Sequence, residues 1–421
     1  MAEKLPDIYL FNPTCEYAVA NGHASWQPNR LLQKMEEDLG MLPLFFARPS
    51  DVVLVKKIPP ADYQEALEKI GIAPPRFIQI SEIAKNDTFL NEPKNRLLPW
   101  GWSPAAHRLL EPLKLSCSKE FQRSPVANWK PEYRKIYSKK FALGILKELL
   151  PLLPADKILP PRLIPQVCTT KPEIETLIRK WGKVMVKAPW SSSGRGLQRV
   201  TKTPVVEKVW EKVLGIISDQ GYAITEPLLN KVLDMALEFE LIKGKVNFLG
   251  ISRFLTDAKG QYQGNFLNGW PDNMDLETVK FAEKLPEMII KPLLTVLENS
   301  LLPKFYEGKF GVDTLIFRDE KNDLRVNPCL EINVKQNMGL LSLELEKLIS
   351  PEKKGIFKTF YNPEKPFLEL KHEMEKEHPL NLHNKKIESG FFPIMPVVEN
   401  TNFGAFILVS DKPYLSLSPN K

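Results

Sequence analysis

The sequence predicts an α/β protein. Three observations carry this: strand-like and helix-like pieces alternate over the first 115 residues, a polar glycine-serine loop interrupts two short apolar runs near Lys187, and an alternating acidic strand follows near Asp313. The 421 residues leave room for two or three cores, and the 43% apolar content is that of a globular chain.

From the N-terminus the pieces are Ile8 to Phe11, Arg30 to Leu39, Pro43 to Ala47, Val52 to Val55, Asp62 to Ile70 and Phe77 to Ile80. Such alternation predicts a Rossmann-like layer with parallel strands. Asn12, Glu16, Asn21 and His23 follow the first strand at its carboxyl end, the edge at which open α/β sheets bind ligands. Asn12 and Glu16 are therefore candidate substrate contacts; a capped loop-to-helix turn explains them equally well. Asn91 to Pro131, with its PWGWSP run, reads as a packed connector.

Helices are predicted over Tyr133 to Leu150 and Glu173 to Trp181, followed by VMVKAPWSSSGRGLQRV. Val184 to Val186 and Leu197 to Val200 would be strands of a hairpin. In its loop Ser191, Ser192 and Ser193 offer donors, Gly194 and Gly196 let the backbone approach an anion, and Lys187 and Arg195 add charge. That is a polyphosphate clamp, unless the loop is an ordinary solvated turn. A Walker loop is excluded, since no GxxxxGK[ST] pattern occurs.

Further on, a strand and turn are predicted at LGISRFLTDAKGQYQGN and a long amphipathic helix within Met274 to Leu301. FGVDTLIF and LRVNPCLEIN then read as an antiparallel pair. In the second, Leu324, Val326, Pro328, Leu330 and Ile332 would face the core, and Arg325, Asn327, Cys329, Glu331 and Asn333 the opposite side. Asp313, Glu331 and Asn333 then form an oxygen-only set suited to Mg²⁺, or a polar face turned to solvent. Cys329 reads as a small packing residue.

In this combination and order the motifs resemble the ATP-grasp superfamily of ATP-dependent carboxylate-amine ligases, over about residues 130 to 350. The resemblance implies an ATP-grasp fold of two subdomains, 116–350, preceded by the small α/β domain, 1–115, and followed by an extension, 351–421, to which no role is assigned. It implies nucleotide contacts from Lys139 (Lys140 is its neighbour), Lys187, Ser191 to Gly196, Glu226 and the Leu228 backbone. A further acid comes from Asp234, Glu238 or Glu240, of which Asp234 is favoured. Asp313, Glu331 and Asn333 would hold Mg²⁺. The chain departs from the family at Lys335, where an arginine is usual, and at Gly311, where a basic residue is usual; Lys335 and Arg253 are the cations expected to hold the transferring phosphoryl group.

The activity so implied is ATP- and Mg²⁺-dependent joining of a carboxylate, through an acylphosphate, to an amine on a small molecule or peptide. A catalytically silent nucleotide-binding protein and a carboxylate kinase or thiol ligase are the alternatives. The formal charge of +7 is spread without long runs of one sign, so nucleic-acid binding is not predicted. Four separated cysteines suggest neither zinc nor disulfides, and no apolar run spans a bilayer; a cytoplasmic, membrane-free protein is expected. His372, His378 and His383 share no helical face and predict no metal cluster.

Overall fold

The computed structural model describes residues 4–191, 196–257 and 260–410. Its first unit is a parallel sheet of β1 (Ile8–Leu10), β2 (Val52–Val55), β3 (Arg76–Gln79) and β4 (Leu97–Pro99), in the order β3-β2-β1-β4. Strands β1 and β2 are wholly buried, as continuous apolar runs require when both faces are covered. The Pro43–Ala47 stretch forms a 3₁₀ helix, Leu42–Phe46, rather than a strand.

A small antiparallel sheet follows, built from β5 (Gln166–Cys168), β6 (Val184–Lys187), β7 (Leu197–Val200) and β8 (Ala223–Pro227) in the order β5-β8-β6-β7. The helices Lys171–Trp181 and Glu207–Gln220 cover it, burying Ile174, Ile178, Trp210 and Val213 with Val184 and Val186. The helix expected from Tyr133 starts later, at Lys139: Pro131–Tyr137 is a 3₁₀ segment, and Ser138 caps Lys139–Leu149 by accepting from the Lys140 amide.

The third unit is a nine-stranded sheet containing β9 (Asn230–Ile242), β10 (Lys245–Thr256), β11 (Tyr262–Leu267), β12 (Gly308–Arg318), β13 (Leu324–Asn333), β14 (Gly355–Tyr361), β15 (Asn381–His383), β16 (Lys386–Pro393) and β17 (Phe403–Val409). Their order is β13-β12-β9-β10-β11-β14-β17-β16-β15. Strands β9 and β10 are joined through Lys243 and Gly244, both at positive φ (49° and 79°), the conformation a tight two-residue hairpin demands. In β9 the odd-numbered Leu233, Met235, Leu237, Phe239 and Leu241 enter the core shared with the helices Lys139–Leu149 and Leu276–Asn299. The even-numbered side chains face the other way.

Described residues beyond 350 contribute strands to this sheet: β14 pairs with β11 and with β17. Their apolar side chains share a second core with the N-terminal layer, where Tyr9, Val53 and Leu67 meet Phe357, Phe367 and Phe406. Among the described residues no helix is long and apolar enough to cross a membrane.

Candidate functional site

Register places the acidic residues. On β12, Asp313 pairs with Glu331 of β13 on one side and Ala236 of β9 on the other; Gly311 pairs with Asn333 and Glu238. Ser252 of β10 pairs with Ala236. Directly opposed residues project to the same face, so Asp313, Glu331, Asn333, Glu238 and Ser252 converge on the face opposite the helical core. All of them line one cavity of about 770 Å³. A double-residue bulge in β13, where Glu331 opposes Asp313 but Asn327 already opposes Leu315, preserves this parity. It also turns Leu330 to the cavity rather than to the core face expected for it, and Cys329, expected beside Glu331, into the helical core, where its thiol meets the Ala142 carbonyl.

Lysines close the site from the other side. Lys139, at the start of its helix, sets its amine 2.8 Å from Glu331 Oε1 and 3.2 Å from both the Ser191 carbonyl and hydroxyl oxygens. Its amide donates to the Pro189 carbonyl, tying this helix to the loop after β6. Lys140 is exposed and takes no part. The Lys187 amine lies 2.7 Å from Glu226 Oε1. Gly196 (φ 76°) closes the loop against Ser191, whose Cβ lies 2.8 Å from where a Gly196 side chain would begin. Ser192, Ser193, Gly194 and Arg195 lie outside the described residues.

Charge balance is set by burial and by these pairs. Burial raises Asp313 well above the usual carboxylate range, and the Glu331 and Glu238 charges add to the rise. Glu331 is equally enclosed, but Lys139 and Lys187 outweigh burial and hold it below its ordinary value. Lys187 and Lys335 would be lowered by burial; neighbouring carboxylates, Glu226 and Glu16 first among them, keep both raised. Glu238 is fully enclosed and pushed up to about 7, although Asn337 and the Ser252 hydroxyl donate to its carboxylate at 2.9 and 2.8 Å.

Not every expected residue reaches the cavity. Arg253 pairs with Met235, a core-face residue, so it emerges on the far side of the sheet; there it lies 3.4 Å from Glu346 and stacks over Trp270. Asn12 spends its carboxamide on the Gly101 backbone, at 2.8 and 3.2 Å, and bridges the ends of β1 and β4. Glu16 does line the cavity and is ion-paired with Lys335. Asp234 sits at the cavity rim, held by Lys231 at 2.6 Å and by the Thr256 hydroxyl at 2.8 Å. Glu226 and Leu228 border the cavity, the Leu228 amide donating to Lys183. Glu238 lies deeper than Asp234. Four residues beyond Asp234, it shares that residue's face of β9, which the alternation of the strand already implies.

The absence of a basic residue at 311 has a steric reason. A Cβ on Gly311 would meet Asn337 Nδ2 at 2.5 Å and Glu238 Oε2 at 2.6 Å, so that pair already fills the space. Asp313 and Glu331, with the Asn333 carboxamide, are an all-oxygen donor set whose mutual repulsion a hard divalent cation would relieve; the residues fit Mg²⁺ with phosphate oxygens and water completing its shell. Among the described residues no group of three or more His, Cys, Asp and Glu side chains is arranged as a metal site.

No protein-family model matches the chain, and no curated protein matches it. Solved structures do resemble it. A biotin carboxylase from Campylobacter jejuni, solved as a β-γ-ATP complex, superposes with a TM-score of 0.51 at 12% identity, covering 97% of this chain and 88% of that one. An L-amino acid ligase from Bacillus licheniformis (TM-score 0.47, 12% identity, 99% and 95% covered) and an N5-carboxyaminoimidazole synthetase from Staphylococcus aureus with ADP (0.46, 13%, 98% and 95%) are also similar. The chain has the ATP-grasp fold, with the parallel sheet ahead of the two grasping subdomains.

Proposed function

We propose that the protein is an ATP- and Mg²⁺-dependent ligase that joins a carboxylate to an amine on a small molecule or peptide, releasing ADP and phosphate. The observation that carries this reading is the convergence of the Asp313–Glu331 pair with Lys139 and Lys187 in one cavity. Transfer of a phosphoryl group needs position and neutralised charge more than a protein nucleophile.

In this reading the base lies by the Glu226–Leu228 hinge, and Lys139, Lys187 and the loop ending at Gly196 hold the phosphates. Asp313, Glu331 and Asn333 would hold Mg²⁺, which when bound would supply neutralising positive charge. The substrate carboxylate oxygen takes the γ-phosphoryl group as ADP leaves with the electron pair of the P–O bond; an amine then attacks the acyl carbon and gives up a proton, and phosphate departs with the electron pair of the C–O bond. Lys335, paired with Glu16, would be the cation that steadies the transferring group.

The test is the thermal midpoint with and without a non-hydrolysable ATP analogue plus Mg²⁺. Ligand at a hundred times its Kd adds about 2.7 kcal/mol. Wild type should shift, and Lys187→Ala and Glu331→Gln should lose most of the shift. Hydroxylamine should then trap the acylphosphate. Wild type without a shift would end the ligase reading.

A further inference from the structure

The cavity has two apolar ends separated by its charged strip. One end is bordered by Met185 of β6, Leu228 after β8, Leu159, Leu163 and Leu330, and belongs to the hinge between the subdomains. The other is bordered by Met35 and Leu39 from the N-terminal layer, Met338 at the start of the helix Met338–Glu346, and Phe360, Tyr361 and Phe403 from β14 and β17. From Asp313 on β12 to Tyr361 on β14 the sheet passes β9, β10 and β11. Those four spacings amount to about 19 Å along the sheet. A nucleotide whose base is at the hinge and whose phosphates are on the strip leaves this second end free.

The second end is built rather than incidental. Asp38 Oδ2, at the end of the helix Arg30–Asp38, accepts the amides of Asn402 and Phe403 at 2.9 and 3.0 Å and so fixes the N-terminal layer against β17. The Tyr361 and Phe403 rings stack at 4.4 Å and 12°. Tyr361 keeps 44% of its surface exposed. Between wall and strip, Asn265 on β11 borders the cavity while fully buried: the Tyr262 hydroxyl donates to its Oδ1, and its Nδ2 has no partner among the described residues. A buried donor left unmet carries a standing cost that a ligand oxygen would remove.

We propose that the second substrate carries a bulky aliphatic or aromatic group that lies against Met35, Leu39, Met338, Phe360, Tyr361 and Phe403, with a carbonyl or carboxylate oxygen of the same molecule accepting from Asn265. An amino acid or short peptide with a large apolar side chain has this chemistry. The inference rests on the ligase reading of the same cavity.

ADP release from ATP and Mg²⁺ is to be measured with phenylalanine, leucine and methionine, alone and as dipeptides, against glycine, aspartate and lysine. The apolar group should be used with kcat/KM about ten-fold or more above the others. Tyr361→Ala, at a partly exposed position, and Asn265→Ala should each raise KM for the apolar substrate about ten-fold and leave KM for ATP unchanged. Preference for glycine, aspartate or lysine overturns the inference and leaves the ligase reading standing. So does an unchanged KM in Tyr361→Ala, the variant least exposed to misfolding. ATP-analogue stabilisation without ADP release from any panel member also overturns it, and absence of both stabilisation and release overturns the ligase reading with it.

Discussion

The Lys187 amine and Glu226 Oε1 lie 2.7 Å apart across the adjacent strands β6 and β8, and both side chains are largely enclosed. Each charge is tolerated because of the other. Lys187→Ala leaves the Glu226 carboxylate buried without its cation, and should cost about 3–5 kcal/mol by urea denaturation. A Lys187→Met, Glu226→Gln double variant should recover most of that stability while still failing to bind nucleotide.

Asp313 and Glu331 face each other, yet burial raises the first while Lys139 and Lys187 hold the second low. Asp313 is raised, so a cation entering between them must displace its proton. Mg²⁺ binding with the ATP analogue should therefore release protons and tighten as pH rises. Calorimetry in two buffers of different ionisation enthalpy reads this directly; Asp313→Asn should abolish the buffer dependence.

Glu238 makes stability depend on pH with a definite sign. Its pKa is raised from 4.5 to about 7 by burial, so the folded state holds a proton that the unfolded state has lost. Stability should be complete below pH 4.5 and fall as pH rises toward 7, by about 3 kcal/mol. Glu238→Gln, which keeps the partners Ser252 and Asn337, should remove this component from a thermal-midpoint profile.

His107 acts in the opposite sense. Its ring is stacked on Trp102 at 4.4 Å, neither nitrogen has a partner among the described residues, and burial, aided by Lys114, pushes its pKa down to about 3. The unfolded chain takes up the proton first, so stability is lost as pH falls below 6.5, by about 2 kcal/mol at pH 5. The difference profile between wild type and His107→Phe should show this slope.

Gly339 tests how tightly the acid is held. A Cβ there would lie 2.1 Å from Glu238 Oε1 and 2.3 Å from the Ser252 hydroxyl. Gly339→Ala should destabilise by about 1–3 kcal/mol. It should also displace the midpoint of the Glu238 titration, as followed by the same pH profile.

Short-range pattern carried much of this architecture. Val52 to Val55 is a strand with the bounds its apolar run suggests, and the Lys187 hairpin and the antiparallel pairing of the Asp313 and Glu331 strands agree with the pattern, although a bulge in the second breaks its strict alternation. What failed depended on long-range register. Arg253 reads as a spare cation until its pairing with Met235 shows which face it takes. Asn12 looks free until Gly101, 89 residues away, claims its side chain. The lysine-rich tail gave no sign that Phe360, Tyr361 and Phe403 return to the cavity, because sheet order is not written in local periodicity.

Strand β9 presents apolar side chains to the helices on one face and Asp234, Ala236 and Glu238 to the cavity on the other. Deleting one residue within it would exchange the two sets beyond the lesion, driving carboxylates among leucines and leucines among phosphate-binding groups. This segment should therefore accept a conservative change of letter more readily than any change of length, since only the latter exchanges inside and outside along the whole strand.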